Sequence, residues 1–146
     1  MVVTKPQIAR RIRSHIDAEL YDDSQTSPGA IAIYTLCDPR DLRAIRYVGQ
    51  TRAPRRRFAQ HLNAARLWLP AERPWWIPSP KLRPLYAWIR ALYADEQRLP
   101  TCVICAWVDV AAARLSERER IRQCLAQGLP LLNIESELLG RQRALL

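Results

Sequence analysis

The feature that most constrains the fold is a pair of short β-favouring segments separated by turn residues. Residues 30–36 and 44–48 are apolar and favour strands. The turn chemistry between them comes from Asp38, Pro39 and Asp41. This pattern predicts a β-hairpin with a long loop. Since side chains alternate between the two faces of a strand, we expect Tyr34 and Tyr47 to meet across the pair.

An arginine-rich helix is predicted directly after the hairpin, from residues 51–54 to about residue 67. Its apolar stripe consists of Phe58, Leu62 and Ala65. Arg57 and His61 are four residues apart on one margin of that stripe, so both are expected to reach into a cleft beside the hairpin. Arg55 and Arg56 face outward, either as a solvated basic face or as contacts to nucleic acid.

Three further segments carry regular patterns. Residues 5–20 form an amphipathic helix with an apolar residue every fourth position, and this face either docks on the domain, makes a dimer contact or belongs to a DNA-contacting arm. Residues 85–92 indicate a scaffold helix. Residues 101–108 are apolar on both faces, as in a central strand covered by helices. The proline-rich segment 68–81 is predicted to be an irregular loop, whose Trp75 and Trp76 either cover a core edge or stack on bases.

The last predicted helix, residues 110–127, distinguishes two glutamates. Its apolar stripe consists of Ile121, Cys124 and Leu125. At a step of about 100° per residue, Glu117 falls inside this stripe and Glu119 on the opposite side. A carboxylate on the inward face is costly unless a cation satisfies it. Glu117 is therefore expected to bind a metal or to pair with an arginine.

The length of 146 residues and the hydrophobic content of 49% suit one domain with a modest core. We expect a single compact α/β domain with a small three-stranded, mainly antiparallel sheet flanked by helices. The predicted organisation is an N-terminal amphipathic helix and linker (1–28), the domain itself (29–135) and a C-terminal tail (136–146).

The formal net charge of +9 favours a polyanionic partner, because clustered basic side chains neutralise phosphates and release counterions. Nucleic acid is the first candidate and an anionic membrane surface the second. The sequence has no run of about 18 apolar residues and no signal-peptide pattern, so we expect a cytoplasmic protein.

Cys102 and Cys105 have the CxxC spacing of many zinc sites. They fall in a predicted strand, however, where positions three apart face opposite sides. Free, buried or half-buried thiols are the preferred interpretation, and zinc is the alternative.

A set of residues spread over positions 29–133 matches a known pattern. It consists of Ala32-Ile33-Tyr34, Tyr47-Val48-Gly49, Arg57, Phe58, His61, Glu117 and Asn133. In this set the chain resembles the GIY-YIG nuclease superfamily, with Ala32 in place of the first glycine and Val48 in place of the second isoleucine. The loop between the tyrosines is slightly longer than the commonest length in the family.

This resemblance implies a divalent-metal-dependent DNA endonuclease that hydrolyses phosphodiester bonds. It implies catalytic roles for Tyr34, Tyr47, Arg57, His61 and Glu117, and supporting roles for Gly49 and Asn133. Separately from the resemblance, the basic residues Arg52, Arg55 and Arg56 are the expected contacts to nucleic acid. Glu117 would hold one Mg²⁺ or Mn²⁺, Arg57 would pair with the scissile phosphate, and Tyr34 would help to activate the water. A tyrosine with a pKa near 10 is a poor base, so this role requires nearby positive charge, which Arg57 and the metal are expected to supply.

The implied partner is double-stranded DNA, with homodimerisation left open and no small-molecule cofactor or membrane. Two alternatives remain at this point: a catalytically inactive DNA-binding domain of the same fold, and a module that binds RNA or an acidic protein.

Overall fold

The structure, a computed structural model, describes residues 3–23, 30–69 and 80–133. Its elements are α1 (Lys5–Glu19), β1 (Leu20–Asp22), β2 (Ile31–Asp38), β3 (Asp41–Thr51), α2 (Pro54–Ala64), α3 (Arg83–Glu96), β4 (Thr101–Val108) and α4 (Val110–Ala126). Most of the predicted linker, Trp75, Trp76 and the C-terminal tail lie outside the described residues.

The sheet has four strands in the order β1-β4-β2-β3, with β2 antiparallel to both of its neighbours and β1 parallel to β4. The α/β class is confirmed, whereas the three-stranded sheet is wrong by one edge strand. Leu20–Asp22, predicted as the end of a helix and the start of a linker, pairs instead with Cys102–Ile104. The pairing continues in a hydrogen bond from the Asp23 backbone N–H to the Ile104 carbonyl at 2.8 Å, so edge groups of β4 are satisfied.

Helices cover both faces of the sheet. Side chains of α1, α2 and α3 pack with Tyr34, Leu36 and Cys102 in one buried cluster. Ile121 and Cys124 of α4 pack on the other face, in a cluster that includes Ile33, Cys37, Ile45 and Val48. The predicted alternation along β2 is therefore confirmed. Within the described ranges no helix is long and apolar enough to cross a bilayer.

The apolar face of α1 docks on the domain, which is the first of the three alternatives considered for this helix. Ile8, Ile12 and Ile16 are buried, and a capping box between Thr4 and Gln7 closes the first turn. Farther along, His15 donates a hydrogen bond of 2.6 Å from Nε2 to the carbonyl of Pro100. Burial of the isoleucine stripe and a polar contact beyond it thus hold the helix in place.

The hairpin turn is tight, contrary to the predicted long loop. β2 extends to Asp38 and β3 begins at Asp41, because the Asp38 carboxylate accepts hydrogen bonds from the backbone N–H and the guanidinium of Arg40. The apolar pattern breaks at these residues, whereas strand pairing resumes between Asp38 and Asp41 after a shift in register beside Cys37, which explains the error.

The CxxC pair divides between the two faces of the sheet. Cys102 is buried with α1, α2 and α3, whereas the Cys105 sulfur lies 3.9 Å from the Thr35 hydroxyl. All four cysteines are free thiols. The expected opposite orientation of the CxxC side chains is confirmed.

Candidate active site

Tyr34 lies at the centre of the sheet, directly over Gly49 of the neighbouring strand. The two residues are register partners, and a Cβ atom on residue 49 would fall 2.5 Å from Cζ and from the hydroxyl oxygen of Tyr34. Real Cβ atoms essentially never approach ring atoms so closely, so the tyrosine ring occupies the space that a side chain would need. The glycine of the Tyr-x-Gly segment is thus required by the first tyrosine.

A β-bulge orients the second tyrosine. Leu36 pairs with Tyr47 and Cys37 with Ile45, which leaves Arg46 as an extra residue in β3. The bulge places Ile45 on the α4 face and Tyr47 on the Tyr34 face. The two tyrosine rings are 6.2 Å apart, so the prediction that they meet is confirmed.

The edge of β3 beside Tyr47 is braced by the segment after α4. The Asn133 side chain accepts a hydrogen bond from the Val48 N–H (3.1 Å) and donates one to the Val48 carbonyl (2.8 Å). The backbone N–H of Leu132 donates to the carbonyl of Arg46, the bulged residue, at 2.6 Å. Asn133 therefore holds the strand that positions Tyr47 and Gly49.

His61 lies in the core between two tyrosines. Its Nε2 is 2.7 Å from the Tyr34 hydroxyl, and its Nδ1 is 3.3 Å from the Tyr86 hydroxyl. The side chain is 0% exposed, so the expectation that it would reach into a cleft is wrong. Burial, with the charge of Arg57 as a smaller cause, lowers the pKa of His61 to about 3. The imidazole is therefore neutral at physiological pH.

Arg57 is half-buried beside the tyrosines. Burial opposes its charge, but the neighbouring Tyr34, Tyr86 and Tyr47 more than compensate, and the pKa of Arg57 is raised. Its Nη1 donates to the Gln60 side chain at 3.2 Å. A cation that is already partly desolvated interacts more strongly with an incoming anion than an exposed one does.

Burial dominates the ionisation of the tyrosines. It raises the pKa of Tyr34 well above 10 and that of Tyr47 to about 12, while the charge of Arg57 pulls both pKa values down without offsetting burial. As expected, the charge of Arg57 lowers the pKa values of both tyrosines. In the protein alone, however, its effect is too small to make either tyrosine a base at neutral pH.

The two glutamates of α4 differ as predicted. Glu117 is half-buried, and its charge raises the pKa of Tyr47, which places the carboxylate within electrostatic reach of that hydroxyl. Glu119 is exposed and forms an ion pair with Arg122 at 3.0 Å. Although α4 covers the opposite face of the sheet, the charge of Glu117 thus acts on the Tyr47 hydroxyl, on which the charge of Arg57 also acts.

The arginines at the start of α2 are exposed, as expected for Arg52, Arg55 and Arg56. Arg55 forms an ion pair with Asp17 of α1, so the first turn of α2 adjoins the N-terminal helix. Arg57 lies in the same turn but points toward the tyrosines. The basic residues therefore border the candidate site.

Sequence reasoning missed Tyr86, because α3 was interpreted as scaffold alone. Tyr86 is 4% exposed and lies three residues before Ile89, on the buried side of its helix. A tyrosine at such a position needs a partner for its hydroxyl, and this was the available signal. The site thus has a buried layer of Tyr34, His61 and Tyr86, and a half-buried layer of Tyr47, Arg57 and Glu117.

The donor set suits a weakly held hard cation. Among the described residues, no three His, Cys, Asp or Glu side chains are grouped to hold a metal ion. A single carboxylate at Glu117 fits Mg²⁺, which commonly keeps several waters and binds through one or two carboxylates plus substrate phosphate. It does not fit a closed structural zinc site, which requires four protein ligands.

Comparison of the chain with protein-family models, with curated proteins and with solved structures gave no match. The resemblance to the GIY-YIG superfamily therefore stays a prediction from the residues of the sequence.

Proposed function

We propose that this protein is a divalent-metal-dependent DNA endonuclease of the GIY-YIG type. The observation that carries the proposal is the convergence of a half-buried arginine, a half-buried glutamate and two tyrosines at one place in the sheet. These groups come from β2, β3, α2 and α4, and a glycine without room for a side chain lies beneath one of the rings. Arg57 and Glu117 act on the same tyrosine hydroxyl with opposite effects on its pKa, and ionisable groups perturbed in this way are enriched at functional sites.

The chain's own residues have separable tasks in phosphodiester hydrolysis. Arg57 binds the scissile phosphate, because a guanidinium offers paired donors and stays charged at any physiological pH. Glu117 holds the metal ion, which would supply charge neutralisation and a more acidic bound water. Tyr47 donates a hydrogen bond at the accessible edge, and Tyr34 orients the water through its oxygen.

The protonated state of the phenols fits a role in orientation rather than in free base catalysis. Both hydroxyls keep their hydrogen at neutral pH, since burial raises the pKa of each. A metal ion held by Glu117 would add a second positive charge and would lower the pKa values of Tyr34 and Tyr47 further, in the same direction as Arg57.

The net charge of +9 and the exposed arginines at the start of α2 support DNA as the substrate, because these groups lie beside Arg57 along the chain and face solvent. The same observations would support an inactive DNA-binding domain or a module for RNA or acidic proteins. The inward position of Glu117 favours the enzyme, because a carboxylate beside a phosphate site weakens binding unless a metal ion is bound.

Plasmid cleavage tests the proposal. Supercoiled DNA is incubated with the protein in Mg²⁺, in Mn²⁺ and in EDTA, and DNA binding is measured in parallel by mobility shift. We expect metal-dependent nicking or linearisation. Binding without cleavage in either metal would identify an inactive DNA-binding domain, and the absence of both would favour the RNA or acidic-protein module.

A further inference from the structure

We propose that Tyr86 is a positioning residue for the site: its hydroxyl accepts the Nδ1–H of His61, so that Nε2 of His61 must accept the hydroxyl hydrogen of Tyr34. The hydrogen-bond arrangement is a property of the folded protein. Its consequence for cleavage rests on the proposed nuclease function.

The imidazole of His61 has one hydroxyl at each ring nitrogen, Tyr34 at Nε2 and Tyr86 at Nδ1. A neutral imidazole carries one N–H donor and one acceptor nitrogen. Burial at 0% exposure, with the positive Arg57 as the charged neighbour that acts on it, favours this neutral form. One tyrosine must therefore donate to the ring while the other accepts from it.

The two distances distinguish the donor from the acceptor. Hydrogen bonds from hydroxyl donors are shorter than those from N–H donors. The contact of 2.7 Å to Tyr34 fits an O–H that donates to Nε2, whereas the contact of 3.3 Å to Tyr86 fits a longer N–H bond from Nδ1. The reverse assignment would give the N–H donor the shorter of the two contacts.

The position of Tyr86 is fixed by a contact one turn farther along α3. Arg90, four residues after Tyr86, donates from Nη1 to the carbonyls of Ala65 (2.8 Å) and Arg66 (2.9 Å) at the end of α2. His61 lies one turn before those carbonyls. These two hydrogen bonds therefore tie α3 to α2 one turn from the contact between Tyr86 and His61.

The consequence concerns the oxygen of Tyr34. With its hydrogen committed to Nε2, this oxygen can present only lone pairs to the side where Arg57 lies. An oxygen of this kind accepts a hydrogen from Arg57 or from a water and cannot donate one to a phosphate. Tyr86 thus sets, through His61, the direction in which Tyr34 can form hydrogen bonds.

Nitrogen NMR of the histidines measures the arrangement directly, because the chain has only two histidines and His15→Gln assigns them. We expect wild-type His61 to be protonated at Nδ1 and unprotonated at Nε2 at neutral pH. Tyr86→Phe should shift His61 toward the Nε2–H form. The matched control is Tyr93→Phe, also on α3, whose ring contacts Arg11 and whose change should leave the His61 signals in place.

A wild-type His61 protonated at Nε2 would overturn the inference, whether or not any variant folds. So would a folded Tyr86→Phe variant that retains the Nδ1–H form. In cleavage assays we expect about a tenfold lower kcat for Tyr86→Phe than for Tyr93→Phe, with similar KM. An Nδ1–H tautomer in a protein that cleaves no DNA would support the positioning role and count against the nuclease function alone.

Discussion

At the residue scale, the contact between Gly49 and Tyr34 is the most restrictive feature of the site. Gly49→Ala would place a methyl group 2.5 Å from the tyrosine ring, so the ring must shift. We expect a loss of about 1–3 kcal/mol in unfolding free energy, as for overpacking elsewhere, and a larger relative loss of cleavage. Urea unfolding and plasmid cleavage measure the two effects.

Gly128→Ala provides the matched control for this change. Gly128 has a φ of 77° and open space around its Cα, so alanine there strains the backbone without approaching any side chain. Gly128→Ala should lower the free energy of unfolding by about 1–2 kcal/mol and leave the turnover of DNA cleavage unchanged. Equal turnover in the two variants would show that the Tyr34 position does not matter for activity.

His61 makes the stability of the protein dependent on acid. Native His61 stays unprotonated until the pH approaches its pKa of about 3, whereas the same residue in the unfolded chain takes up a proton below about 6.5. Acid therefore favours the unfolded state, and the stability present above pH 6.5 is lost as the pH falls toward 3. Urea titrations at pH 7 and pH 4.5 should show this loss.

A comparison of the wild type with His61→Gln isolates the contribution of His61 to the loss of stability in acid. Between pH 7 and pH 4.5 the wild type should lose about 2–3 kcal/mol more than the variant, since one pKa unit is worth about 1.4 kcal/mol. Other groups that titrate in acid, such as Asp38, are common to both proteins and cancel. Parallel pH profiles would mean that native His61 takes up its proton over the same pH range as in the unfolded chain, which would contradict the lowered pKa.

At the scale of elements, α1 belongs to the same surface as the arginines of α2. Asp17 of α1 is paired with Arg55, and Arg13 lies four residues before Asp17 on the same side of the helix. The Asp17→Asn change should free Arg55 for phosphate. We expect tighter DNA binding, by about two- to fivefold at low salt, and a salt dependence steeper by about one ion. Binding is measured by fluorescence anisotropy across a salt series.

Asp41→Asn is the control for this prediction, because it adds the same charge and also breaks an exposed ion pair, with Arg43. Asp41 lies at the turn of the hairpin, where its backbone is the register partner of Asp38. The helix α2 begins after Thr51, at the opposite end of β3. If both variants tightened DNA binding equally, net charge alone would explain the effect and α1 would have no specific role.

Sequence reasoning succeeded for elements whose pattern is local. The buried stripe of α1, the strand at residues 101–108 and the start of α4 follow from periodicity and composition, and the structure confirms them. The edge strand β1 was missed because three residues carry no period, and its pairing partner lies some eighty positions away. The bulge at Arg46 was missed for a related reason, since a bulge exists only relative to the neighbouring strand.

In the candidate site, too, local patterns were predicted correctly and contacts between distant parts of the chain were missed. Arg57 and Glu117 were assigned inward directions from helix geometry, and both are half-buried beside the tyrosines. The depth of His61 and the contact with Tyr86 could not be predicted, because they depend on how closely α3 packs against α2. Helical position gives the side on which a residue lies but not its distance from the next element.

At the scale of the whole molecule, several carboxylates in the part of the chain that the structure describes already form ion pairs. Each is paired with an arginine: Asp17, Asp41 and Glu119 lie at the surface, and Asp38 is buried. Two-metal sites need carboxylates that bridge cations about 3.5–4 Å apart. Because Glu117 is the carboxylate that acts on Tyr47, we expect one metal ion per site, held weakly without DNA.

Anomalous scattering from crystals with Mn²⁺ and an uncleavable DNA tests this expectation. One Mn²⁺ should lie at Glu117 and contact the phosphate. A second protein-bound Mn²⁺ within bridging distance of the first would contradict the one-metal account.

The central claim is that this molecule cleaves DNA through the inward carboxylate of α4, and a matched pair of variants tests it most directly. Glu117→Ala and Glu119→Ala lie on one helix and remove the same charge, one beside Tyr47 and one in the exposed pair with Arg122. The measurement is the single-turnover rate of plasmid cleavage in Mg²⁺, with DNA binding checked in EDTA. Glu117→Ala should bind DNA and reduce cleavage by at least about a thousandfold, consistent with the several kcal/mol that a metal supplies, while Glu119→Ala cleaves at the wild-type rate. Normal cleavage by Glu117→Ala, or loss of cleavage in Glu119→Ala, would contradict the account.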